Sequence, residues 1–175
     1  VPFNGGAVLE PWVRETPDRP RVLVTLGTVV PTVAGTDVVS VQVDALADLE
    51  VEVVLALGDA APPRTTALPE NVRTAGYLPL SAVLPTCRLI VHHGGSGTTA
   101  APLHFGVPQL VLPSFADNPL SAARVVERGV GVGLKRHLAA AAAALVGGDE
   151  QGAVAIADAV GQAVGREAAE DDGMD

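Results

Sequence analysis

Arg88-Leu89-Ile90-Val91-His92-His93-Gly94-Gly95-Ser96-Gly97-Thr98-Thr99 carries the chain from an apolar strand through a glycine turn into a helix that runs to Gly106. A strand that empties into such a turn is half of a parallel β–α unit. The free N–H groups at the helix start point outward, and the helix dipole adds partial positive charge beside them. Glycines let a ligand approach the backbone, while Ser96, Thr98 and Thr99 add hydroxyl donors. That combination suits a phosphate or diphosphate. It is neither of two better-known phosphate loops: the lysine of GxxxxGK[ST] is missing, and the GxGxxG spacing is not met. His92 has the chemistry to donate to a phosphate oxygen, and protonation would add charge. The alternative is that each histidine only caps the strand and bonds to backbone, with the glycines as turn formers.

The same alternation extends in both directions. Upstream, RVLVTLG (21–27) reads as the first strand, 36–49 as a helix, VEVVLAL (51–57) as the second strand and Asn71 to Tyr77 as the third. Leu80 to Thr86 reads as a brief helical turn before strand 88–93. Downstream, VPQLVLP (107–113) is a fifth strand, Asn118 to Arg128 a helix, and GVGVGL (129–134) a weak sixth strand. The Ala-rich stretch 138–146 and residues 151–168 read as closing helices. Strands alternating with helices predict a Rossmann-like three-layer α/β/α domain with a mostly parallel sheet of about six strands, binding its ligand at their carboxyl ends. Residues 1–20, rich in Pro and Gly, read as a linker or arm packed on the domain at 21–168, and 169–175 as a frayed acidic tail.

Composition bounds the function. The 175 residues suffice for one such domain, and 48% apolar against 18% charged residues excludes a disordered chain. With 3% aromatics, the core must be built from Val, Leu and Ala. A net charge of −9 argues against non-specific nucleic-acid binding. No apolar run is long enough to predict membrane insertion, no secretion signal is read, and the lone Cys87 suits a reducing cytoplasm. A dinucleotide oxidoreductase is rejected, because TLGTVVP stands where a GxGxxG turn would be needed.

HHGGSGTT followed by GVPQLVLPSFADN resembles the donor-sugar signature of inverting GT-B glycosyltransferases that decorate plant metabolites, macrolides and other antibiotics. PRVLVTLGT, LPENVRTAGYLPLSAVLPTCRLIVHHGG and NGGAVLEPWVRE agree with that family in order and spacing, so the likeness covers roughly residues 1 to 134. The resemblance implies the C-terminal half of a GT-B architecture, which holds the nucleotide sugar. The acceptor and the catalytic base belong to an N-terminal acceptor-binding domain. Expected partners are therefore a nucleotide-sugar donor, that domain and a small-molecule acceptor, without metal or other cofactor.

Carried over by position, the resemblance implies diphosphate contacts from His92, Gly95, Ser96, Gly97 and Thr98, with Gly27 and Thr28 at the end of the first strand. His93 falls where relatives vary and ranks below His92. Tyr77 and Leu78 fall on the base-binding segment, Asp117 and Asn118 on the residues that read sugar hydroxyls. Ordinary structural roles compete with these: a strand-ending turn for Gly27-Thr28, a core tyrosine for Tyr77, a helix N-cap for Asp117. Ala100 stands where UDP-binding relatives often carry a ribose-binding Glu, which favours a TDP-sugar over a UDP-sugar. Neither His104 nor His137 has a partner that would make it a base, so the expectation is donor binding without turnover by this chain alone. The competing reading is a non-catalytic nucleotide-sugar-binding or regulatory module.

Overall fold

The computed structural model describes residues 9–25, 43, 45–58, 68–113 and 117–133. Within them, six strands form one sheet: β1 (Arg21–Thr25), β2 (Glu52–Ala56), β3 (Val72–Ala75), β4 (Leu89–His92), β5 (Gln109–Val111) and β6 (Gly131–Gly133). Their order is β3-β2-β1-β4-β5-β6, and every neighbouring pair is parallel. This is the expected Rossmann-like arrangement. The apolar runs behind β1, β2 and β4 are buried on both faces, as a covered parallel sheet requires.

Alternate residues of each strand serve different layers. Val22, Val24, Leu55 and Val91 face one side with Val43 and Leu46, the described part of the helix expected at 36–49. Leu23, Val54 and Ile90 face the other, under α1 (Leu80–Val83) and α2 (Ser96–Phe105). Farther along the sheet, Val111 packs against Ala122 and Val125 of α3 (Asn118–Glu127). Gly106 ends α2 at φ 68°, where a side chain would be strained. Gly27, Thr28, the helices expected at 138–146 and 151–168, His137 and the acidic tail lie outside the described residues.

The arm does more than lie on the surface. Pro11–Arg14 form a 3-10 turn that drives Val13, fully buried, into the core beside Leu23, Val83 and Leu84. Burying one valine contributes about 2 kcal/mol. Arg21, 2% exposed, ties the arm down. Its Nε donates to Glu52 Oε2 at 2.6 Å and its Nη1 to Thr86 Oγ1 at 2.6 Å. Further bonds run from Nη1 to the Val13 carbonyl and from Nη2 to the Trp12 carbonyl, each at 3.3 Å. The Trp12 ring lies 5.3 Å from the Arg21 guanidinium and 4.6 Å from that of Arg73.

Candidate functional site

In a sheet of this order the direction in which strands are added reverses between β1 and β4, which opens a crevice at their carboxyl ends. Thr25 and His92, the last residues of those strands, are register partners across it. The loop His93-Gly94-Gly95 climbs from this point to α2. Gly94 has φ 94°, and a Cβ there would lie 3.0 Å from Val111 Cγ1 and 3.1 Å from the Asn118 carbonyl. The loop is thus wedged against β5 and the start of α3.

Gly95 precedes α2 and supplies no side-chain cap. The first helical bond runs from the Thr99 amide to the Gly95 carbonyl at 2.8 Å, so the amides of Ser96, Gly97 and Thr98 precede the ladder. Ser96 and Gly97 are exposed, and no atom of the described residues lies within 4 Å of where a Gly97 Cβ would be. The Thr99 hydroxyl is turned back to the Gly95 carbonyl at 2.9 Å. Positive potential at the start of α2 therefore coincides with open space at Gly97.

The two histidines have different situations, and His92 departs from expectation. It is 1% exposed, and both ring nitrogens are engaged: Nδ1 accepts from the Gly94 amide at 3.1 Å, and Nε2 lies 2.9 Å from Gln109 Oε1. Burial holds its pKa down to about 4. A neutral, fully bonded ring beneath the loop is not placed to grip a diphosphate. His93 is only partly buried; its Nε2 lies 2.5 Å from where a Gly95 Cβ would stand, so a side chain there would push the ring aside. Its Nδ1 is buried without a hydrogen-bond partner. Burial lowers its pKa, and the Asp117 carboxylate opposes that.

Asp117 stands at the N-cap position of α3 without making a side-chain cap bond, and is exposed. Asn118 is 3% exposed, packed on Gly94, with its Nδ2 unpartnered. It forms part of the loop's floor, whereas Asp117, expected beside it at the sugar, is exposed. Tyr77, 49% exposed just beyond β3, is not a core tyrosine, while Leu78 packs against the core. Ala100 is exposed on α2.

Sequence reasoning missed two residues. Gln109, 1% exposed, is the buried partner of His92, and Arg21 is the latch of the arm. Each is a polar residue in an apolar strand, and that signal was available. A cavity of about 670 Å³ lined by Trp12, Arg21, Glu52, Asn71 and Arg73 lies at the amino ends of the strands, away from the loop. Among the described residues no group of three His, Cys, Asp or Glu side chains is placed to hold a metal ion. No described helix is long and apolar enough to cross a membrane.

Residues 40–170 match the family described as Erythromycin biosynthesis protein CIII-like, C-terminal domain. The chain belongs to that family. Elloramycin glycosyltransferase ElmGT of Streptomyces olivaceus is 47% identical over 135 residues, 75% of this chain and 35% of the relative. The 10-deoxymethynolide desosaminyltransferase of Streptomyces venezuelae is 41% identical over 75% of this chain and 31% of its own length. The domain thus spans about a third of the curated relatives it matches. Among solved structures, Spinosyn Rhamnosyltransferase SpnG superposes with a TM-score of 0.74 at 31% identity, covering 94% of this chain and 42% of that one. The same enzyme complexed with thymidine diphosphate gives 0.71 at 30% identity, with 95% and 47% covered. The domain has the fold of a GT-B glycosyltransferase C-terminal domain, and its relatives are antibiotic sugar transferases.

Proposed function

We propose that this domain binds the nucleotide sugar in an inverting glycosyltransferase that moves a deoxysugar from a TDP-sugar to a small-molecule natural-product acceptor. The observation that carries this is the uncapped start of α2 at the β1/β4 reversal, with Gly97 facing open space. Solved relatives complexed with thymidine diphosphate and with spinosyn aglycone support the same reading.

In this reading the amides of Ser96, Gly97 and Thr98 hold the diphosphate, with Gly95 allowing close approach and Gly27 and Thr28 adding further contacts. The ring at the phosphates is that of His93, because His92 is sealed below with both nitrogens used. Tyr77 offers an exposed face for the base, with Leu78 as its support, and Asp117 accepts from a sugar hydroxyl. Ala100 leaves a ribose 2′-hydroxyl without a partner, which favours TDP.

An N-terminal domain supplies the acceptor and a base that takes the proton from its hydroxyl. That oxygen attacks the anomeric carbon, and the bond to the diphosphate oxygen breaks. The negative charge gathering on the leaving TDP meets the α2 amides and His93, which stabilise it without a metal ion. The enzyme works in the cytoplasm, and this domain alone binds donor without turning it over.

Calorimetric titration of the chain with TDP and UDP tests the reading. The expected result is tighter binding of TDP, weakened about tenfold or more by His93→Ala. Absence of TDP binding, or transfer to an acceptor by the isolated chain, would overturn it.

A further inference from the structure

We infer that Gln109 is a positioning residue for the diphosphate loop, acting through His92. The inference rests on the donor-binding reading above for its effect on ligand, though not for its geometry. Gln109 is the first residue of β5, buried, with Oε1 2.9 Å from His92 Nε2. On the opposite side of the same ring, Nδ1 receives the Gly94 amide at 3.1 Å.

The directions of these bonds are set by elementary chemistry. A backbone amide only donates, so Nδ1 must present its lone pair. A neutral imidazole then carries its single proton on Nε2, which requires an acceptor. The Gln109 amide meets that need only with its oxygen toward the ring, so its nitrogen points away, where it has no partner among the described residues. The result is a one-way chain from Gly94 N–H through His92 to Gln109. Removing the Gln109 oxygen frees the ring to take the other tautomer, in which Nδ1–H confronts Gly94 N–H. The loop has little room to absorb this, because Gly94 is wedged between Val111 and Asn118 at a positive φ. Its displacement passes directly to Gly95 and the exposed amides of α2.

An amide is also the right acceptor chemically. A carboxylate at position 109 would draw a second proton onto the ring and turn Nδ1 into a donor facing Gly94 N–H. Gln109 accepts without titrating. Among the described residues, His93 is the titratable neighbour that acts on the His92 ring, and it disfavours the second proton.

The test uses the full chain, TDP as probe, and ring-nitrogen NMR of the histidines. Wild type is expected to show His92 protonated at Nε2. Gln109→Leu is expected to show mixed tautomers and about tenfold weaker TDP binding with the fold retained. Gln109→Glu is expected to bind TDP like wild type near about pH 8 and to weaken as pH falls toward about 6. TDP affinity of Gln109→Leu within about twofold of wild type would overturn the inference while leaving the donor reading intact. A proton on His92 Nδ1 in the wild type would overturn it too. If wild type binds no TDP, the donor reading fails, and the tautomer in wild type and Gln109→Leu still decides the positioning role. Should Gln109→Leu not fold, the pH profile of Gln109→Glu decides: a flat one overturns the inference.

Discussion

The ionisation of His92 ties stability to pH. Its ordinary pKa of 6.5 is held down to about 4, with burial the main cause. Between those values the unfolded chain binds a proton that the folded chain refuses, so stability rises with pH across this window. The contribution is complete above the unfolded value and is lost as pH falls through the folded one, on the order of 3 kcal/mol in total. Urea denaturation across that range should show the decline, and His92→Gln should flatten most of it; burial of His93 adds a slope of the same sign. Diphosphate binding should run the opposite way, since an anion beside His93 favours its protonated form. Titration in buffers of different ionisation heat should reveal proton uptake near about pH 6 that His93→Gln reduces. Cys87 offers a simpler check. Burial pushes its thiol up to about 12, overriding the lowering by Arg21, so native protein should resist iodoacetamide at about pH 8 until it unfolds.

The glycines of the loop and of the α2 start are interchangeable on paper and not in three dimensions. Gly94→Ala forces a side chain onto a positive φ and against the Asn118 backbone, and should cost about 2 kcal/mol in chemical denaturation. Gly97→Ala meets nothing among the described residues and should leave stability unchanged or raise it by up to about 1 kcal/mol, because alanine favours the helix. The same substitution should weaken TDP binding, because the methyl occupies the space in front of the amides. Stability and affinity measured together on these two variants separate a structural glycine from a ligand-facing one. The element itself was legible in HHGGSGTT, since a strand, a glycine turn and a helix start are short-range features. What each glycine does was not, because Val111 and Asn118 approach Gly94 from other elements.

At the scale of the whole molecule, Arg21 ties the arm to the sheet. Arg21→Ala removes the nearer of the two cations paired with Glu52, Arg73 being the other, and the donors that hold the Trp12 and Val13 carbonyls. It should destabilise the domain by about 3 kcal/mol in urea denaturation and expose residues 9–20 to protease. Composition and alternation alone determined a parallel α/β domain with a phosphate-suited helix start, because burial on both faces and turn chemistry leave local marks. They could not show that Pro11–Arg14 drive a valine into the core, since a single buried residue has no periodicity. Nor could they choose between two adjacent histidines. Successive strand-end residues lie on different sides of the chain, and which one is sealed depends on Gln109, seventeen positions away. The local pattern determined a helix start suited to an anion, while tertiary packing alone decided which of the two rings is sealed beneath the loop, by bonds to Gln109 and Gly94.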